Sequence, residues 1–587
     1  MPSLIFEKAS RGLATVALSS LLLLPSIGWA NSPEPKQEEH INYRLAFSFE
    51  GNYLAAYVAG LSRDTAAAAT YYREALRDDP NNKMLGERAF IAFLTNDNMA
   101  EAFQLAEQIL KRDKNNGLAR LAIGVRDFRA KEYKASRTRF ASQAKQTNPD
   151  IANILMTAWS WIAEGNYAKA QSTVAQLKGT RGLDVFRDYH AGLMALAAGK
   201  KDDAERFLKT AYELDSRTLR IVEAYGRTLS QSGNNARATS VFESFKKIAP
   251  MQTTVRWALK ELKDNKTLPA MLHSANEGAS EVLYSLGSAG SMQGEELPAV
   301  VYLRLALYLD PQNMMAKIAL ADNYERIQQL DQSVEILKTI PKDSFLYTDA
   351  VIQRAYGLEQ LDRAPEAEAI LAELNTSNGK NAEVALALGS ILRVRGAKEK
   401  DPEKSKQFYL ASAESYTKAL DLMKDEERNN WYILFLRGTC YERAKKWDKA
   451  EADLKQSLAL APDDQPQGRA QVMNYLAYSW VDSNTNIDEA FKLLQGAIEL
   501  SPRDGMIIDS LGWAYYRLGR YDDAVRELEK AIEYKPGDPT INDHLGDAYW
   551  KVGRKTEAVF QWNHARDSNP EPEDLEKILK KIKDGLR

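Results

Sequence analysis

The chain has 587 residues, 44% of them hydrophobic, with 78 basic and 81 acidic side chains and a formal net charge of −3. The two signs are interspersed, which excludes the concentrated basic face of a nucleic-acid binder, while the apolar content is ample for folded structure. The single cysteine, Cys440, excludes an internal disulfide and reads as a small buried helix residue rather than a reactive thiol.

Lys8 and Arg11 precede an apolar run over 13–24. Pro25 breaks the run, and Gly28 and Ala30 set small residues at −3 and −1 of a cut after Ala30. This is the layout of a secretory signal peptide over 1–30. An uncleaved anchor is the other reading, but the clean stretch is shorter than the ~20 apolar residues of a spanning helix, and no later segment approaches that length. The mature chain then opens on a flexible polar lead over 31–45, and the expected location is periplasmic, soluble or peripherally attached to the envelope. Asn31 stands where a lipid-accepting cysteine would follow the cut.

A 34-residue rhythm occupies the rest of the chain, clearest near its end. Leu511, Gly512, Tyr515, Ala524, Leu528, Ala531 and Pro536 recur 34 positions later as Leu545, Gly546, Tyr549, Ala558, Trp562, Ala565 and Pro570. Each column has a mechanical reason. Gly512 and Ala531 are small where two helices cross, and Leu511, Tyr515 and Leu528 fill the seam at helical spacing. Gly519 ends the first helix and Pro536 the second. These columns resemble the tetratricopeptide repeat, which implies an all-α, right-handed superhelical solenoid of helix-turn-helix units.

In chain order, a first block over 46–250 carries weak copies (Ala56, Ala68, Tyr72, Ala75 and Pro80; Gly192, Ala204, Leu208 and Ala211), then a firmer one at Gly226, Ala238, Phe242 and Pro250. The segment 251–279 lacks the signature, with a helix expected over 254–262 and a Pro-Gly-interrupted stretch after it. It joins two blocks or straps the concave face. A second block over 280–572 resumes with Leu286, Gly287, Ala299, Leu303, Ala306 and Pro311, then Gly438, Tyr441, Ala450, Leu454 and Pro462. The charged insertion 393–412 reads as a solvated loop or a lengthened helix pair. Leu575, Ile578, Leu579 and Ile582 then share one face of a capping helix over 573–587, its lysines facing solvent. About fourteen repeat-like units result.

No catalytic constellation stands out. His544 and His564 sit one on each helix of one repeat, without metal-ligand spacing, and read as packing or groove residues. Neither "GLMALAAGKK" nor "GSAGS" has the spacing of a phosphate loop or a nucleophile elbow. The expectation is a non-enzyme without cofactor or metal.

What such a solenoid offers is surface. The resemblance places its usual concave positions at Asn474 and Tyr478, then Asp509, Trp513, Tyr516 and Arg517, then Asp543, Asp547 and Trp550. Trp and Tyr beside carboxylates suit an interface, although single aromatics also pack between repeats. Asn474, Asp509 and Asp543 disfavour capture of an acidic tail and favour a basic or apolar segment. The last quarter of the chain is further similar to the exported bacterial tetratricopeptide adaptors that hold carboxyl-terminal processing proteases in the periplasm. That resemblance implies a scaffold binding a protein or peptide, with such a protease as partner. The alternative is a scaffold in envelope polysaccharide or outer-membrane assembly.

Overall fold

A computed structural model describes residues 45, 48–141, 150–179, 183–377, 381–423, 430–570 and 572–586. The expected signal peptide and nearly all of the lead lie outside the described residues. Among the described residues there are thirty α-helices, one 3-10 turn and no strand. None of these helices is long and apolar enough to cross a membrane.

The helices come as pairs joined by three- or four-residue turns, so that each second helix runs back along its first. Many first helices open on Asn or Asp side chains that accept backbone N–H groups otherwise left unpaired. Asn82 accepts from Leu85, Asn116 from Ala119, Asp150 from Asn153, and Asp538 from Thr540 and Ile541. The turn after most first helices contains a single residue with positive φ. Arg63, Asp97, Lys131, Gly165, Gly199 and Gly233 hold this post, each 34 residues after the last. The second helix Tyr521–Tyr534 ends just before Pro536, as expected. Where the helices of a pair cross, nothing but backbone fits: a Cβ on Gly512 would stand 2.6 Å from Leu528 Cγ, and one on Gly546 2.5 Å from the Trp562 ring. The all-α solenoid of stacked helix pairs expected from the sequence is the fold observed.

The described chain divides into two compact units at Arg363 and Ala364, not at the expected joint over 251–279, which lies inside unit one. There the helix Thr253–Lys263 forms as expected, and the loop after it folds back on Leu219–Gln231, where the Leu268 N–H donates to Ser230 Oγ at 3.0 Å. Ala275–Met292 and Glu296–Leu309 then pair and pack on the first helices Lys83–Thr95, Gly117–Arg129, Ile151–Ala163 and Asp184–Ala197. The side that these first helices would offer a partner is thus filled by the chain itself, with a continuous apolar core from Ala56 to Ile327. Glu281 fastens this insertion. It accepts from Tyr189 Oη at 2.8 Å and from Arg220 Nη2 at 2.5 Å, while Arg220 also pairs with Glu223 at 2.6 Å.

Unit two is a stack of helix pairs from Ala364–Ser377 onward, closed by the single helix Pro572–Asp584. The charged insertion is the lengthened pair Ala382–Lys398 and Pro402–Leu422. Cys440 is fully buried, 3.3 Å from Ser412 Oγ, and burial pushes its thiol pKa up.

Candidate partner-binding face

Three first helices of unit two, Pro466–Asp482, Gly505–Arg517 and Pro539–Lys551, carry all nine candidate residues. Asp509, Trp513 and Tyr516 follow one another at helical spacing, and the 34-residue period puts Asp543, Asp547 and Trp550 in the same columns. Contact between neighbouring first helices brings the two sets together.

At their centre lies a stack of three rings. His544 lies 4.0 Å from Trp513 at 12° between planes, and Tyr516 stacks 4.7 Å from Trp513 at 8°. Behind the stack, His544 Nδ1 meets the buried Asp509 carboxylate at 3.0 Å. Burial disfavours a charged imidazole, but Asp509 at contact, with Asp543 and Asp547 near, outweighs it and holds the His544 pKa above its ordinary value. Burial, reinforced by Asp547, drives the Tyr516 hydroxyl pKa upward. Two buried polar atoms on these helices, Trp513 Nε1 and Asn474 Oδ1, meet no hydrogen-bond partner among the described residues. Tyr478 is half-buried and Arg517 exposed.

Asp543, Asp547 and Trp550 are already engaged by the chain itself. Lys581, on the terminal helix, donates to Asp543 at 2.7 Å and to Asp547 at 2.8 Å. Asp547 also accepts from Trp562 Nε1 at 2.9 Å, and burial raises its pKa against the pull of Lys581. Trp550 Nε1 donates to the Leu586 carbonyl at 2.9 Å, and Gly585 lies against the indole with no room for a Cβ. The terminal helix caps the stack as expected, burying Ile578 while Leu579 stays exposed. Its lysines are not all solvent-faced, however, because the two carboxylates draw Lys581 inward. Sequence reasoning missed this site of contact. The signal for it was the repeated aspartate column, which had no cation of its own until the last helix supplied one.

The other five candidates, Asn474, Tyr478, Trp513, Tyr516 and Arg517, lie on the helices Pro466–Asp482 and Gly505–Arg517. Among the described residues, no group of three or more His, Cys, Asp or Glu is placed to hold a metal ion.

Comparison with known proteins agrees with the repeat. Residues 512–553 match a TPR repeat model, and residues 431–464 a tetratricopeptide repeat model. A TPR repeat-containing protein of Pseudomonas aeruginosa, PA4667, is 29% identical over 142 residues, 22% of this chain and 22% of that protein. The match thus spans about a fifth of that relative's length. Among solved structures, the APC/C hetero-tetramer Cut9-Hcn1 is similar at 12% identity and TM-score 0.36, covering 92% of this chain and 97% of that one. Yeast Tom70 is similar at 12% identity and TM-score 0.29, covering 92% and 95%.

Proposed function

We propose that this chain is a protein-binding scaffold of the bacterial cell envelope. It acts by holding a partner segment along the first helices of unit two rather than by catalysis. The observation that carries this reading is the Trp513 stack, rigid aromatic surface of the kind that anchors interfaces. The carboxylates beside the stack are already met by His544 and Lys581, so the face favours an apolar segment over a basic one. The filled inner side of unit one directs the search to unit two. The signal-peptide layout of 1–30 supports export to the periplasm, followed by the polar lead over 31–45. The similarity of the last quarter of the chain to periplasmic adaptors supports delivery of substrates to a carboxyl-terminal processing protease.

Mild crosslinking in periplasm, followed by purification of the chain and identification of bound proteins, tests this. Trp550 supports the terminal segment, so Trp513→Ala is the cleaner variant, with circular dichroism confirming its fold. A processing protease captured by the wild type and lost with Trp513→Ala supports the adaptor reading. Envelope-assembly proteins captured in its place favour the alternative scaffold. A partner retained equally by both chains overturns the assignment of this face.

A further inference from the structure

The last helix pair of unit two and the first described helix of unit one are finished differently. The last pair is covered by the charged helix Pro572–Asp584, which has Lys and Glu outward and Ile578 inward. The first described helix, Phe49–Leu61, has no such helix over it among the described residues. Of the fifteen large apolar side chains exposed among the described residues, four stand on this one helix: Leu54 at 60%, Tyr57 at 38%, Val58 at 52% and Leu61 at 68%. Their spacing puts them on a single stripe, opposite the buried Asn52, Ala56 and Ala59. Clustered exposed apolar area of this kind marks an interface, and an end repeat with an apolar outer face is a liability unless covered.

The charges at the ends of the stripe indicate what covers it. Glu50 begins it, exposed and on the same face, and Arg63 stands in the turn just beyond Leu61, its side chain 49% exposed and reaching Glu296 at only 3.5 Å. The stripe is thus apolar at Leu54, Val58 and Leu61, with the Arg88 guanidinium 4.7 Å over the Tyr57 ring, acidic at its start and basic at its end. A surface with that order is complementary to itself when turned round. A two-fold axis between Tyr57 and Val58 sets Leu54 against Leu61 of the second copy. It also brings Glu50 within reach of the second copy's Arg63, twice over by symmetry. A membrane surface would meet Glu50 as a repelled charge and leave it unpaired.

We propose that Phe49–Leu61 is the contact through which two copies of this chain pair, antiparallel and end to end, with Leu54, Val58 and Leu61 as its apolar centre and Glu50 and Arg63 as its paired rims. The interface lies in unit one.

Sedimentation equilibrium on the purified chain, its N-terminus fixed by mass spectrometry, tests this. Wild type is expected to be a dimer, and Leu54→Glu with Val58→Glu a folded monomer. Glu50→Arg and Arg63→Glu place like charges at both rims, and each alone is expected to weaken pairing about tenfold. Mixed in equal amounts, these two variants restore complementarity at both rims and should form a heterodimer of near wild-type affinity. No cis role of Arg63 produces that rescue. A wild-type monomer overturns the proposal, as does a dimer unaffected by the charge reversals. So does a monomer recruited through Leu54 and Val58 to phosphatidylglycerol vesicles, or one whose stripe is covered by its own 13–24 run when 1–30 is retained.

Discussion

Lys581 Nζ lies between two carboxylates one helical turn apart, 2.7 Å from Asp543 and 2.8 Å from Asp547, with the lysine side chain only 17% exposed. The ammonium thereby couples the terminal helix to the first helix of the last pair. It also neutralises an aspartate column that the preceding pair answers differently, with His544 on Asp509.

Replacing this cation should loosen the cap. Lys581→Met leaves two partly buried carboxylates side by side, at an expected cost of about 1–3 kcal/mol, below a fully buried pair because water still reaches the site. The expected readouts are a lower first unfolding midpoint and faster proteolysis within 572–587. An unchanged midpoint would mean that burial of Ile578 holds the terminal helix without help from charge.

A second consequence concerns pH. The folded His544 pKa is raised above the ordinary 6.5. The stability this group contributes is therefore fully present below about pH 6.5 and is lost as pH rises through the folded pKa. Unit two should denature more readily at pH 8 than at pH 6, and His544→Gln should remove that dependence. Asp509→Asn should weaken the dependence, because burial is then opposed only by Asp543 and Asp547 and the imidazole pKa falls. Histidine proton resonances followed by NMR would report the titration directly. A His544 midpoint at or below 6.5 would contradict this account.

Much of the fold was legible because its columns are steric. Gly512 under Leu528 and Gly546 under Trp562 leave the chain no other residue, so the period is written in letters there. The first block was faint for a physical reason. Its turns keep the same 34-residue step, but Arg63, Asp97 and Lys131 hold the left-handed post that Gly165, Gly199 and Gly233 fill further on. A turn geometry persists when its residue changes, whereas a sequence pattern does not. The candidate face was half legible. Helical spacing placed Asp509, Trp513 and Tyr516 on one side, but no local pattern announces that a helix 38 residues after Asp543 will return Lys581 to it.

The same turns yield a third prediction. Lys131 adopts φ of 65° and is exposed, with no ion pair among the described residues such as joins Arg63 to Glu296 or Asp97 to Arg304. A side chain in that region costs roughly 1 kcal/mol that glycine avoids. Lys131→Gly should therefore stabilise unit one by about 0.5–1 kcal/mol, despite glycine's greater freedom when unfolded. A lower thermal midpoint would show that the side chain supports the turn in some other way.

The last prediction concerns the helix pair that fills the inner side of unit one. Gly278 lies directly against Trp159, one of the largest fully buried side chains, and a Cβ there would overlap the indole ring. Trp159 is enclosed on every side and has nowhere to retreat, so Gly278→Ala should cost about 1–3 kcal/mol by overpacking. Three residues on, Glu281 receives both Tyr189 and Arg220, and Glu281→Gln would leave Arg220 facing a neutral amide in a dry site. Both changes act on one seat, so together they should cost less than the sum of their separate effects. The companion change Trp159→Leu makes room for the new methyl group and should recover part of the Gly278→Ala loss, even though it opens a cavity when made alone. Thermal unfolding of the wild type, the two helix variants, their double variant, Trp159→Leu and Trp159→Leu with Gly278→Ala measures this coupling. Strict additivity of the two helix substitutions, or no rescue by Trp159→Leu, would mean that Ala275–Met292 is not held as a rigid body against the first helices.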